Sequence, residues 1–487
     1  MFWALLEKLG QQGLSFVVFL ILARILGPAQ FGLVNLCYIY ITISYFIISG
    51  AMDGIVALQI RDDKRLSTMF WTVMAIGVVL GAICFLTAGP FAAFMKHDQI
   101  EPLLHWIALV PMLIAAQAVP YALVMKSMDF RMFTIRTIIA NVAGGITGIV
   151  MALRGFGPYA LIAQQIVMYL VTNLVIWPGC RWLPKLMFDK TCLRAVMAPG
   201  ARTSGSYFLD FFDQQAPRVI VGSFIGVVAV GHYSLVTRIR QAMYDVLIHP
   251  LNVVLYPAFS EIKDDHEGQQ RVLGQIIVVI GALIFPAIVG TAAIAGLFVP
   301  VLFGPAWDPA IPVMQLLLLT GTTLPFVIVL RDVLRAHNKT ALYLKVQCGV
   351  VAANLGLAFF LAPHGLVVMS WGWVAMSAVA LLSYVEVLKR ATTLDLWPSF
   401  ARLILPIASS AVMALAIFAL EQAPWHPANI YLHMALAIAL GAVVYIGCAG
   451  MLMRKEAGLL IAMLKKMRSR KSVPAIAIAE PEPPVTP

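Results

Sequence analysis

Long apolar stretches alternate with short connectors along this chain, and positive charge collects on every second connector. The stretches fall near 5–25, 32–50, 67–90, 103–124, 133–153, 158–178, 204–226, 229–258, 273–299, 312–330, 341–362, 366–388, 402–420 and 431–453. Each holds about 20 residues or more, enough to cross a ~30 Å hydrocarbon layer at ~1.5 Å per helical residue. Counted from the N-terminus, one set of connectors, together with both ends of the chain, carries 28 of the 34 Lys and Arg. It includes Arg61, Lys64 and Arg65, then Lys126, Arg131 and Arg136, and later Arg331, Arg335, Lys339 and Lys345. The other set holds only Arg24, Lys96 and Arg154. Short basic loops stay in the cytoplasm, so both termini are expected there. The pattern predicts an all-α polytopic membrane protein with about 14 transmembrane helices.

Hydrophobic residues make up 61% of the chain and charged residues 12%, against ~25% charged in soluble domains. The net charge of +11 is accounted for by the one-sided loops, so nucleic acid is not an expected partner. Six scattered cysteines, Cys37, Cys84, Cys180, Cys192, Cys348 and Cys448, form no ligand spacing and read as packing thiols. The first segment lacks a small-residue cleavage site and runs into further spans, so a cleaved signal is not expected. No phosphate-binding loop, zinc-protease motif, nucleophile elbow or dinucleotide fingerprint occurs. The chain is therefore read as a non-enzyme with no cofactor and no metal, and any driving force must come from a gradient, the membrane potential or product consumption.

Three landmarks recur in order. Ile25-Leu26-Gly27 with Gly32 matches Phe224-Ile225-Gly226 with Gly231. Pro120 with Lys126 matches Pro325 with Arg331, and Phe156-Gly157 matches His364-Gly365. They predict two six-helix repeats, parallel about an axis along the membrane normal, around a central cavity. The expected units are an N-terminal lobe 1–182, a connector 183–203, a C-terminal lobe 204–390 and an accessory helix pair 391–453. A basic amphipathic segment 454–472 and a Pro-rich disordered tail 473–487 complete the chain.

Ionisable groups inside spans are costly and are candidates for function. In the eighth segment Ser234, Arg238, Gln241, Asp245, His249 and Asn252 recur every three or four residues, which places them on one helical stripe. Arg240 points away from it. The seventh segment supplies Asp210, Asp213, Gln214, Gln215 and Arg218. Counted from their outer ends, Arg218 and Arg238 lie at similar depth, ~10–14 Å in, with the aspartates deeper. Two readings stand side by side. Arg218, Arg238, Gln241 and Asn252 could hold a diphosphate or other anion, with Asp210, Asp213, Asp245 and His249 as ion-coupling groups. Alternatively the arginines pair with the aspartates and lock two helices together.

Leu22-Ala-Arg-Ile-Leu-Gly-Pro-Ala-Gln-Phe-Gly-Leu33, Gly155-Phe-Gly-Pro-Tyr-Ala-Leu161, Val301-Leu-Phe-Gly-Pro-Ala-Trp-Asp-Pro-Ala310 and the run Gly226–Arg238 carry a resemblance. They look like segments of the Wzx-type polysaccharide exporters of the multidrug/oligosaccharidyl-lipid/polysaccharide superfamily. The resemblance implies a multi-pass protein of the bacterial cytoplasmic membrane that flips an undecaprenyl-diphosphate-linked oligosaccharide by alternating access, for exopolysaccharide, capsule or O-antigen synthesis. The implied partners are the lipid-linked oligosaccharide and the phospholipid bilayer, with a polysaccharide polymerase and export machinery as further candidates. A multidrug or cation antiporter, a peptidoglycan-precursor flippase of the same fold, and a non-transporting scaffold are the alternatives.

Overall fold

The computed structural model describes residues 2–57, 62–126, 130–180, 182–189, 211–248, 266–337, 339–392, 394–423 and 429–452. Among them there is no strand. The helices are α1 (Phe2–Ala57), α2 (Asp63–Met95), α3 (Ile100–Ile107), α4 (Val110–Lys126), α5 (Phe130–Leu153), α6 (Tyr159–Cys180) and α7 (211–224). There follow α8 (Val227–Leu247), α9 (His266–Ala293), α10 (Ala295–Phe303), α11 (Ile311–Leu319), α12 (Leu324–Ala336), α13 (Thr340–Leu361) and α14 (Leu366–Thr392). A short α15 (Trp397–Ala401) leads into α16 (Ile404–Gln422) and α17 (Ile430–Leu452).

Among the described residues, 11 stretches are long and apolar enough to cross a membrane. This is a multi-pass membrane protein. The first stretch, Gly13–Gly50, holds two of the expected segments, because α1 is broken at Gly27 (φ 71°, ψ 174°). Only Gly adopts that conformation without strain, and Pro28 after it has no amide hydrogen to continue the ladder. The seventh and eighth segments are not among the 11. Only 211–224 of the seventh is described as helix, and α8 carries Arg238, Arg240, Gln241 and Asp245 among its apolar residues. The tenth segment is interrupted: a 3-10 turn at Thr320–Thr322 separates α11 from α12. Pro325 stands at the start of α12, whereas Pro120 lies inside an unbroken α4. The proline landmark therefore does not mark equivalent local geometry. The glycine landmarks do: Gly226 repeats the Gly27 conformation (φ 115°, ψ 173°), and Gly157 and Gly365 both have positive φ.

Small residues let the helices approach. Val18 and Leu22 of α1 lie over Gly145 and Gly148 of α5, and Gln164 and Met168 of α6 cover Gly144. The α16–α17 pair packs on α9, where Met413 meets Gly290 and the Tyr445 hydroxyl donates to the Ala282 carbonyl at 2.7 Å. The segment after α6 is tied to the start of α2. The amides of Lys185 and Asp189 donate to Ser67 Oγ and Thr68 Oγ1, and the Trp71 indole donates to the Lys185 carbonyl at 3.0 Å. The adjoining Lys185–Asp63 ion pair, at 2.7 Å, has side chains 57% and 48% exposed. Such a pair is worth under about 1 kcal/mol. Asp63→Asn is accordingly expected to leave the melting temperature of the purified protein within about 2 °C. A larger drop in a thermal scan would mean that the pair, not the buried hydroxyl contacts, holds this segment.

Candidate functional site

The segments that carried the resemblance converge on the break in α1. The glycine turns of that end produce the meeting. The Gly27–Pro28 break frees backbone groups, and the Trp307 indole Nε1 donates to the Ala23 carbonyl at 3.0 Å. Val301 lies four residues before Pro305, which has no amide hydrogen to offer its carbonyl. Arg24 Nη1 donates to that carbonyl instead, at 3.1 Å. Arg24 thus ties α1 to the end of α10. Trp307 is wholly buried and meets Phe31, Phe303 and His232 edge-on or tilted at 5.9–6.2 Å. Gln30 lies against Gly157 of the turn before α6.

The two glycine landmarks meet face to face at this spot. A Cβ on Gly32 would overlap the Val227 carbonyl, and a Cβ on Gly231 would overlap the Pro28 carbonyl. Each glycine thus faces the residue just after the other repeat's positive-φ glycine. The contact is reciprocal, as a pseudo-two-fold between the repeats requires. It brings the backbones of α1 and α8 together as a clasp at the cation-poor end.

Beyond the clasp the two helices carry polar faces. On α8, Arg238 and Gln241 are exposed. Gln241 Nε2 donates to Asp245 Oδ1 at 3.0 Å. Ser234, nearer the clasp, is buried. Arg238 interacts electrostatically with Asp245 and with Tyr38 of α1. Tyr38 donates to the Leu161 carbonyl of α6 at 3.1 Å and lies beside Gln165 and Tyr169, with Tyr45 near Tyr169. Sequence reading missed this wall. Its signal was available: Tyr38 and Tyr45 are seven apart on α1, and Gln165 and Tyr169 four apart on α6, so each pair shares a helical face.

Arg218 and Arg238 are not brought together. Arg218 Nη1 donates to Gln215 Oε1 at 2.6 Å, and its electrostatic neighbours are Tyr233 and Arg240. Asp213 also acts on Tyr233. Among the described residues neither Arg218 nor Arg238 makes an ion pair with an acid. Asp210, His249 and Asn252 lie outside the described residues, as does Cys192, and no group of three metal-ligating side chains occurs among the described ones.

Comparison with known proteins fixes the kinship of this arrangement. Residues 21–312, which include all the converging segments, match the family model described as "Polysaccharide biosynthesis protein". The chain belongs to this family. Among curated relatives, the succinoglycan biosynthesis transport protein ExoT of Rhizobium meliloti (strain 1021) is 28% identical over 96% of this chain and 95% of its own length. The lipopolysaccharide biosynthesis protein WzxC of Escherichia coli (strain K12) is 26% identical over 66% of this chain and 65% of its own. The fold is that of a lipid II flippase, MurJ, solved in an inward closed conformation: TM-score 0.77 at 13% identity, covering 93% of this chain and 99% of that one. An inward-facing multidrug transporter of the MATE family shares it at a TM-score of 0.61 and 14% identity. The family has this all-helical, multi-span architecture, and its relatives named here are transport and biosynthesis proteins.

Proposed function

We propose that this protein flips a lipid-linked oligosaccharide, carried on undecaprenyl diphosphate, across the bacterial cytoplasmic membrane for polysaccharide assembly. It is a transporter and performs no covalent chemistry. Residues 1–182 and 204–390 are the two bundles that rock about the clasp, with 391–453 beside them and both termini in the cytoplasm. One observation carries the reading: Arg238, an accessible cation within a membrane helix, faces the tyrosine wall of the other bundle. A guanidinium offers paired donors to a diphosphate, and tyrosines offer faces and hydroxyls to sugars. The family match and the relatives' roles in succinoglycan and lipopolysaccharide synthesis support the same substrate class.

Deletion of the gene is expected to leave lipid-linked oligosaccharide in the cytoplasmic leaflet, read by its inaccessibility to an external glycan-cleaving enzyme. An Arg238→Ala protein, expressed to the normal level, is expected to restore export at least about tenfold less well, as loss of a charge-assisted hydrogen bond of ~1.5–3 kcal/mol implies. Unchanged leaflet distribution on deletion would end the reading. Full export by Arg238→Ala would remove Arg238 from the path.

A further inference from the structure

The chain leaves α6 through a run that is apolar where a water-facing loop would be polar. Residues 182–188 read Trp-Leu-Pro-Lys-Leu-Met-Phe and are not helical. Turns that face water favour Gly, Asn, Asp and Ser. Here Leu186 is 90% exposed, Leu183 74% and Phe188 53%. The backbone of the run is nevertheless held at several points. Trp182 meets Phe70 edge-on at 6.1 Å and stacks on Trp177 at 6.4 Å. Lys185 and Asp189 give their amides to Ser67 and Thr68, both buried. The Lys185 carbonyl accepts from the Trp71 indole and, at 2.8 Å, from the Met187 amide. That second bond closes a three-residue turn, and Leu186 stands at its tip. A backbone fixed in this way presents its apolar side chains outward.

What they face follows from α2. Trp71, Ala75, Val78, Val79, Ile83 and Leu86 are exposed and recur every three or four residues, on one face of the helix. α2 is among the stretches long and apolar enough to cross a membrane, so this face is turned to acyl chains. Lys64 lies seven residues before Trp71 on the same face, ~10 Å nearer the cation-rich end, and both Lys64 and Arg65 are exposed. Along the face the order is cation, tryptophan, aliphatic, which is the order of a membrane interface. The apolar run crosses at the level of Trp71, because Trp71 holds the Lys185 carbonyl. Its tip therefore continues the lipid-facing surface at the depth where headgroups give way to acyl chains. We propose that residues 183–188 are an interfacial anchor. Leu183, Leu186 and Phe188 enter the leaflet at the cation-rich end, and Lys64 and Arg65 hold anionic phospholipid headgroups beside them. The anchor requires the multi-pass architecture and does not depend on the transport reading.

The test uses the full-length protein in vesicles of phosphatidylcholine and phosphatidylglycerol, carrying a nitroxide at Leu186→Cys. Cys180, Cys192, Cys348 and Cys448 are changed to Ser, and the buried Cys37 and Cys84 are kept. Val79→Cys on the lipid-facing stripe and Asp98→Cys at the exposed turn after α2 serve as references. Collision with oxygen, relative to a water-soluble nickel chelate, is expected to be at least about threefold higher at 186 than at 98, and close to that at 79. A ratio equal to that at 98 places the tip in water and overturns the proposal. Protection from both reagents means that protein covers the tip, as another part of the chain or a second copy, and overturns it too. Size-exclusion profiles establish that the labelled proteins are folded, and a Leu183→Cys label repeats the measurement from a second position. Lys64→Gln combined with Arg65→Gln is expected to raise nickel access at 186 at least about twofold when phosphatidylglycerol is present, and to leave it unchanged in pure phosphatidylcholine. Equal nickel access in both lipid compositions, with and without the two cations, would overturn their assignment to headgroups.

Discussion

Gly231→Ala is expected to destabilise the protein by about 3 kcal/mol or more, and Gly32→Ala by a similar amount. Alanine already carries the atom that does the damage, because the added Cβ would overlap the Pro28 carbonyl at one site and the Val227 carbonyl at the other. A backbone oxygen cannot swing aside as a side chain can. The only relief is to part α1 from α8, which forfeits the packing of the whole clasp, and overpacking of that kind costs ~1–3 kcal/mol even where side chains can adjust. The chain contains its own control. Gly349 and Gly356 in α13 have nothing within 4 Å of a Cβ and no positive φ. Alanine there is expected to stabilise by ~0.5–1 kcal/mol through helix propensity. Thermal unfolding of the four proteins in one detergent decides the matter. If Gly231→Ala and Gly356→Ala melt alike, the clasp does not hold the two helices at this distance. Because the clasp closes the cation-poor end, the parted form should also expose Phe31 and its neighbours. A Phe31→Cys protein is expected to react with a membrane-impermeant maleimide faster when Gly231→Ala is added.

What could be read from the sequence divides along a physical line. Backbone conformation is local, so the Gly27 and Gly226 breaks were legible from a glycine at the end of an apolar run. Face membership is also local: the three- and four-residue spacing of Ser234, Arg238, Gln241 and Asp245 follows from helix pitch alone. Which neighbour a face meets is not local. Arg218 and Arg238 read as equal in depth, yet Arg218 has Tyr233 and Arg240 as its electrostatic neighbours while Arg238 has Asp245 and Tyr38. The tyrosine wall near Arg238 was legible only as two separate helical faces, since tyrosines at helical spacing are common in any packed core and which faces meet is not local. The proline pair marks different local geometry, since Pro120 lies inside an unbroken helix whereas Pro325 follows a 3-10 turn within its span. Gly32 and Gly231 were noticed as markers of repetition. Their physical reason, a mutual approach of two backbones, needed the pairing of the repeats to be known first.

Trp307→Ala is expected to cost about 3–5 kcal/mol, the range for removing a buried large aromatic side chain. Trp307 is wholly buried and joins parts of the chain nearly three hundred positions apart, since its indole serves the Ala23 carbonyl. Trp307→Phe separates the two contributions. It keeps most of the contact with Phe31, Phe303 and His232 but leaves the carbonyl without its donor, an omission worth ~1–3 kcal/mol when the group stays buried. Arg24→Ala removes the other tether, at Val301. Arg24 is itself exposed, so alone it should cost under ~1 kcal/mol. Both tethers fasten the same two pieces of backbone, the break in α1 and the turn after α10, so their effects should not add. Once Trp307 is gone the turn is released, and the Arg24 bond has little left to hold. The double variant is therefore expected to be less destabilised than the sum of the singles by ~0.5 kcal/mol or more. Strict additivity, measured by denaturant or thermal unfolding of the four proteins of the cycle, would mean that the two bonds act on independent elements. The converging segments would then be neighbours in space without forming one mechanical unit.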